Sequence, residues 1–399
     1  MKNPILVVHG GAPTAVINAS LYGVIREAER HPQAGPVYAA IGGAGGLLRE
    51  ELLDLSTVPT EVIERLPHTP ASAIGTSRDA LEPEHYRAIA KILEKRGIRC
   101  LLFNGGNGSM DACGKIYKAC RELGMELSVV GIPKTIDNDI AVTDHAPGYG
   151  SAARFIVGTV GELSRDVAAL PIHVSVIEAM GRNAGWVAAA SALAREREGD
   201  GPHLIYLPER PFRQEEFLED VTALHKKQGG VVVVVSEGLK GPDGEPAVPP
   251  IFRSGRAVYT GDVSAHLAQL VIKELGIKAR SEKPGLPGRA SIAYQSTVDR
   301  EEAILAGREA VKAALEGTTG VMIGLERLPG PKYAVCPVRI PIEKVMLTER
   351  LLPDEFIAPQ GNDVTEAFLR WCRPLVGEEP MPHQRADLRE IFFAARKER

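Results

Sequence analysis

The chain has 399 residues, 44% of them hydrophobic and 25% charged, with a formal net charge of −4. That length exceeds one ordinary core, so two domains are expected, and the apolar share supplies enough side chains to fill both. Nearly balanced charge without a basic tract excludes nucleic acid and membrane surfaces as partners and points to a small molecule.

Met1 to Val8 lacks the profile of a signal peptide and Val231 to Val235 is far too short to span a bilayer, so a cytosolic protein is expected. The first element is a strand, Ile5 to Val8, which breaks at Gly10 and Gly11 into a helix from about residue 15. Leu101 to Phe103 repeats the design and breaks into NGGNGS, 104–109, before a helical pattern. Glycines let backbone N–H groups approach an anion and a helix N-terminus favours negative charge, so either loop can hold a phosphate. Ordinary strand-to-helix turns share these glycines. Neither loop matches the Walker or the dinucleotide pattern, which argues against P-loop NTPases and hydride-transfer enzymes.

Next comes GIPKTIDNDI, 131–140, where Lys134, Asp137 and Asp139 stand within a turn. Two neighbouring carboxylates can divide the work, one taking a proton and the other holding a cation or orienting the first. A lysine beside them suits phosphoryl transfer, whose transition state is stabilised mainly by positioned charge. A helix N-cap is the plain structural alternative for Asp-Asn-Asp. Residues 151–170 read as a helix whose stripe Ile156, Val160, Leu163, Val167 and Leu170 is expected in the core. HVSVIEA, LIYLPER and VVVVVSEGL read as strands with polar groups at their C-terminal ends, and 241–250 as a loop. Strands alternating with helices predict an α/β fold with doubly wound, mainly parallel sheets, and ligands in such sheets bind beyond the strands' carboxyl ends. Beyond about residue 345 the chain is rich in proline and charge, with a short helix around Val364 to Trp371, and is expected to form an interface or a surface wrap. The five cysteines, Cys100, Cys113, Cys120, Cys336 and Cys372, show neither a CxxC pair nor zinc spacing and read as reduced structural thiols. Only Cys113 is close enough to a glycine loop to be considered for a role.

The ordered series GGAPTAVIN (10–18), IGTSR (74–78), GGNGS (105–109), PKTIDND (133–139), APGYGSAARF (146–155), IEAMGRNAG (177–185) and SEG (236–238) resembles the phosphofructokinases over roughly residues 4–315. The branch containing pyrophosphate-dependent enzymes is the most similar. The resemblance implies a larger phosphoryl-donor domain from 1–148 plus about 290–345, and a smaller sugar-phosphate domain at 149–289, with the active site in the cleft between them. Residues 346–399 would be an extension of unassigned role, and the chain a homodimer or homotetramer. It implies transfer of a phosphoryl group to the 1-hydroxyl of fructose 6-phosphate, with Mg²⁺. Asp137 would be the base; Arg182 would meet the transferring phosphate and Lys134 the departing one. Thr135, Asp139, Met180, Gly181, Glu237, Arg280 and Arg289 would bind the sugar phosphate. Gly10, Gly11, Arg78, Gly106, Asn107, Gly108 and Ser109 would surround the donor, with Asp137 and Asn107 near the metal.

Several residues depart from the family's pattern. Asn107 stands where many ATP enzymes have a metal-holding aspartate, and an amide can orient a metal-bound water but brings no charge. Leu286 replaces a histidine of the sugar-phosphate site, and His173 an arginine that reaches across a subunit interface. Gly108 stands where pyrophosphate enzymes carry an aspartate that excludes the nucleotide's α-phosphate, while Lys134 matches their pattern and Asp79 replaces an aromatic of the ATP type. Exclusion discriminates more sharply than an added contact, so the sequence favours ATP as donor, with pyrophosphate as the alternative. Asn107 and Leu286 leave open a non-catalytic sensor of sugar phosphate or nucleotide, against which Asp137, Lys134 and Arg182 argue.

Overall fold

A computed structural model describes residues 2–254, 257–386, 388 and 391. Its strands are β1 (Asn3–His9), β2 (Ala34–Ala40), β3 (Leu52–Asp54), β4 (Cys100–Gly105), β5 (Ser128–Pro133), β6 (Val174–Ala179), β7 (Leu204–Tyr206), β8 (Val231–Ser236), β9 (Pro250–Ser254), β10 (Ala257–Thr260), β11 (Ala279–Glu282), β12 (Val321–Arg327) and β13 (Val335–Pro341). They form a seven-stranded sheet in the order β13-β12-β5-β4-β1-β2-β3, a four-stranded sheet β11-β6-β8-β7, and a β9-β10 hairpin. The smaller sheet is wholly parallel. In the larger sheet only the edge strands β3 and β13 run antiparallel. Strands β4, β5, β6 and β8 are buried along their whole length, which accounts for their continuous apolar runs.

In the larger sheet β1 lies between β2 and β4, so the winding reverses there and leaves a crevice beyond the carboxyl ends of β1 and β4. His9 pairs with Asn104 and Gly105 with Pro133, so β1, β4 and β5 end level with one another. In the smaller sheet Ala179 pairs with Ser236, which delivers Met180 and Glu237 side by side.

The helix Tyr149–Ala169 buries Ile156, Val160 and Val167, with Leu163 packed against the same cluster. Leu170 departs from the expected stripe: it is 57% exposed, because the helix stops at Ala169 and Leu170 has left helical geometry. The segment beyond residue 345 is not a surface wrap. Phe356, Phe368, Cys372 and Leu375 join Tyr149 and Trp186 in one buried cluster, and a helix runs Glu366–Val376. Residues 392–399 of that extension lie outside the described residues. Cys113 is buried and its thiol is pushed up to about 12, which makes it a packing residue rather than a nucleophile. Among the described residues no helix is long and apolar enough to cross a membrane.

Candidate active site

Beyond the level ends of β1, β4 and β5 lies a cleft of about 440 Å³. Its floor is glycine for a steric reason. Ser109 inserts between the two strand ends, and a Cβ at Gly10 or Gly105 would lie 2.4 or 2.1 Å from its hydroxyl oxygen. Gly11 has φ +74°, and Gly106, Asn107, Gly108, Ser109 and Arg78 complete this wall. The helix Asn107–Glu122 begins in the cleft, so the positive end of its dipole faces an incoming anion.

Lys134 follows β5 into the cleft and is 3% exposed, its Nζ donating to the Ala12 carbonyl. Burial pulls its pKa down to about 8, opposed by the nearby Asp137 and Asp139 and assisted by Arg78 and Arg289. The turn that follows is fixed by its own side chains. The Asp137 N–H donates to Thr135 Oγ1 at 3.0 Å, and the Thr135 hydroxyl donates to Asp139 Oδ1 at 2.9 Å. Asn107 Nδ2 donates to Asp139 Oδ2 at 2.8 Å, tying the glycine loop to the acidic turn. Asp139 is therefore a structural hub, and burial raises its pKa against those hydrogen bonds. Asp137 has no such side-chain donor, and burial, then Asp139 and Glu237, raise its pKa to about 7 against Lys134 and Arg182. A carboxylate poised there can take a proton at neutral pH.

The smaller sheet brings a second loop up to Asp137. Gly181, at φ +115°, donates its N–H to Glu237 Oε1 at 3.3 Å and accepts from the Ser236 hydroxyl at 2.7 Å. Its position brings the two loops together: a Cβ there would be 4.0 Å from Asp137 Oδ1. Arg182 is exposed beside it. Met180 turns into a separate small hollow with Ile136 and Glu178.

Arg280 and Arg289 have different surroundings in this chain. Arg289, half-buried, acts on Lys134, whereas Arg280 is exposed on β11 opposite Ser175 and acts on His173. Four residues of strand, about 13 Å, separate Ser175 from Ala179 at the site end of β6. Two supports carried no sequence signal. Asn138, at φ +51°, accepts from the Ala146 N–H at 3.1 Å. Asp299 accepts from the N–H groups of Gly148 and Ser151 at 2.8 and 2.9 Å, anchoring the segment that leads from the acidic turn into the long helix.

The phosphofructokinase family profile matches residues 4–314. The pyrophosphate–fructose 6-phosphate 1-phosphotransferase of Rhodospirillum rubrum is 36% identical, over 94% of this chain and 95% of its own length. The enzyme of the same name from Xanthomonas campestris pv. campestris is 38% identical, over 95% and 93%. The crystal structure of a pyrophosphate-dependent phosphofructokinase from Marinobacter aquaeolei superposes with a TM-score of 0.86 at 33% identity, covering 96% of this chain and 94% of that one. A mainly parallel sheet whose level strand ends open onto a cleft, a second parallel sheet whose loop approaches Asp137, and a near full-length likeness in sequence and fold make this chain a member of the phosphofructokinase family.

Proposed function

We propose that the protein transfers a phosphoryl group from pyrophosphate to the 1-hydroxyl of fructose 6-phosphate, giving fructose 1,6-bisphosphate and phosphate. One observation carries the choice of donor: relatives alike over nearly the whole chain bear the name pyrophosphate–fructose 6-phosphate 1-phosphotransferase. This reverses the preference for ATP drawn from Gly108, and the cleft supplies a reason. A Cβ at Gly108 would meet nothing within 4 Å, so the space there is open to either donor and Gly108 does not by itself select ATP. The cleft lining also carries Asp79, whose carboxylate lies over Gly45, together with Ala44 and Leu81. A carboxylate on the lining disfavours the additional negative charge of a nucleotide, and Asp79, Ala44 and Leu81 present no ring for an adenine.

In this reading Asp137 accepts the proton of the 1-hydroxyl as its oxygen forms the new bond to phosphorus. The bridging bond of pyrophosphate breaks, and the Lys134 ammonium meets the charge on the departing phosphate. Arg182 clamps the transferring group, while Glu237 and Arg289 hold the sugar phosphate. The residues present also fit Mg²⁺. Asn107 Oδ1 is buried and has no hydrogen-bond partner, and with Asp137 it offers two protein oxygens. No group of three or more metal-ligating His, Cys, Asp or Glu side chains occurs among the described residues. That suits an ion that keeps several waters and takes its remaining ligands from substrate phosphates. Bound there, Mg²⁺ would neutralise charge on the donor.

The test is kcat/KM for each donor with fructose 6-phosphate and Mg²⁺. Pyrophosphate is expected to exceed ATP by about 100-fold or more, given the several kcal/mol that like-charge contacts cost. A preference for ATP would overturn the donor assignment, and absence of turnover with both would favour the sensor. A second expectation concerns pH. Asp137 must be ionised and Lys134 protonated, so kcat/KM falls as pH drops below about 7 and again as it rises above about 8. The two limbs belong to the coupled pair. A profile flat from pH 6 to 9 would remove both groups from the rate-determining chemistry.

A further inference from the structure

The catalytic loops come from different sheets, and residues 349–352 touch both. On the acidic side, the Arg350 N–H donates to the Asp139 carbonyl at 2.8 Å, and Glu349 forms an antiparallel bridge with Ile140. On the arginine side, Glu349 accepts from Asn183 Nδ2 through both carboxylate oxygens, at 3.0 and 3.2 Å, and the Arg350 carbonyl accepts from Trp186 Nε1 at 3.3 Å. Glu209 closes the circuit: its Oε1 accepts from the N–H groups of both Gly185, at 2.9 Å, and Leu352, at 3.0 Å. The Arg350 guanidinium lies 4.3 Å from the Trp186 ring centroid and 5.7 Å from that of Trp371, pinning the segment to the core. Val142 and Leu347, two residues from the Ile140–Glu349 bridge on each chain segment and on the same side of it, both hold positive φ, at 66° and 57°. Such strain in non-glycine residues persists only where surrounding contacts dictate it.

We propose that this segment is a positioning strap: Glu349, through Asn183, sets the angle at which the adjacent Arg182 faces Asp137. The strap rests on the reading that Arg182 and Asp137 act together, and it gives the C-terminal extension a role in phosphoryl transfer. Glu349 and Asn183 are both exposed, so truncating either spares the core. Glu349→Ala is expected to lower kcat about tenfold with the KM for the sugar phosphate within twofold, since a misaimed group costs rate more than ground-state binding. Glu349→Gln keeps an oxygen for Asn183 and should recover most of that loss. Asn183→Ala should reproduce the defect, and the double variant should be no worse than either single one.

Glu349 also raises the pKa of Asp139, which gives a rival account by charge alone. That account predicts that the Gln variant is as impaired as the Ala variant, and such a result would overturn the strap. Additive losses in the double variant, or a kcat for Glu349→Ala within twofold of the parent, would overturn it too. In each case an active parent leaves the proposed function standing. A parent inactive with both donors would sink that function and the strap together.

Discussion

Asp137→Asn is expected to lower kcat by a factor of about 10² to 10⁴ while leaving the KM for the sugar phosphate within a few fold, the pattern of a lost proton acceptor. The substitution keeps the shape of the side chain, and the Asp137 N–H that bonds Thr135 is untouched, so the turn should hold. A kcat within tenfold of the parent would show that another group takes the proton. The same variant carries a stability signature of defined sign. The folded pKa of Asp137 is raised from the usual 3.8 to about 7, so the parent folds best with this group protonated. It loses that stability as pH climbs from about 4 to about 7, whereas asparagine has no proton to lose. The Tm advantage of Asp137→Asn should therefore grow across that window and level off above it. An advantage that is constant with pH would mean that the buried carboxylate is not held in its neutral form.

The acidic turn was legible in the sequence because its chemistry is contiguous: Lys134, Thr135, Asp137 and Asp139 lie within six residues and their mutual contacts are local. The glycine loops were legible for a similar reason, since a short apolar run followed by glycines marks a strand end. What the sequence hid depends on distant partners. Trp371 and Phe368 look like parts of a polar tail until Trp186 and Tyr149, from far earlier in the chain, come to cover them. Glu349 offers no pattern at all, because its meaning lies in Asn183 on another sheet's loop. The spacing of Arg280 and Arg289 says little about their surroundings, because β11 ends at Glu282 and Arg289 lies in the next helix. Leu170 misled by a single residue, one step past the end of its helix.

The donor question shows the same limit at finer scale. Gly108 could be read as a missing obstacle, but a Cβ there would meet nothing within 4 Å, and an open space admits either donor. Asp79 was legible only as the absence of an aromatic. Its place on the cleft lining, over Gly45, brings a negative charge to the cleft from the loop that follows the Gly10–Ser77 bridge.

Lys134→Met should reduce kcat/KM with pyrophosphate by about 10³-fold, most of it in kcat, because a buried cation aimed at the departing phosphate acts mainly where negative charge develops. Methionine fills much the same volume, which limits the change to the lost charge and the lost bond to the Ala12 carbonyl. The pH profile then distinguishes this role from simple packing. Lys134 is active as its protonated form and its pKa is lowered to about 8, so the parent loses rate as pH rises through that value. The variant should lack this alkaline limb. Its acid limb should move in the opposite sense from a repair: Lys134 holds the pKa of Asp137 down, so removing it lets burial, Asp139 and Glu237 push that pKa further up. Activity should then begin to fall at a higher pH than in the parent. An alkaline limb that survives Lys134→Met belongs to another group, and an acid limb that stays in place would mean that the two side chains do not share the electrostatics on which the mechanism depends.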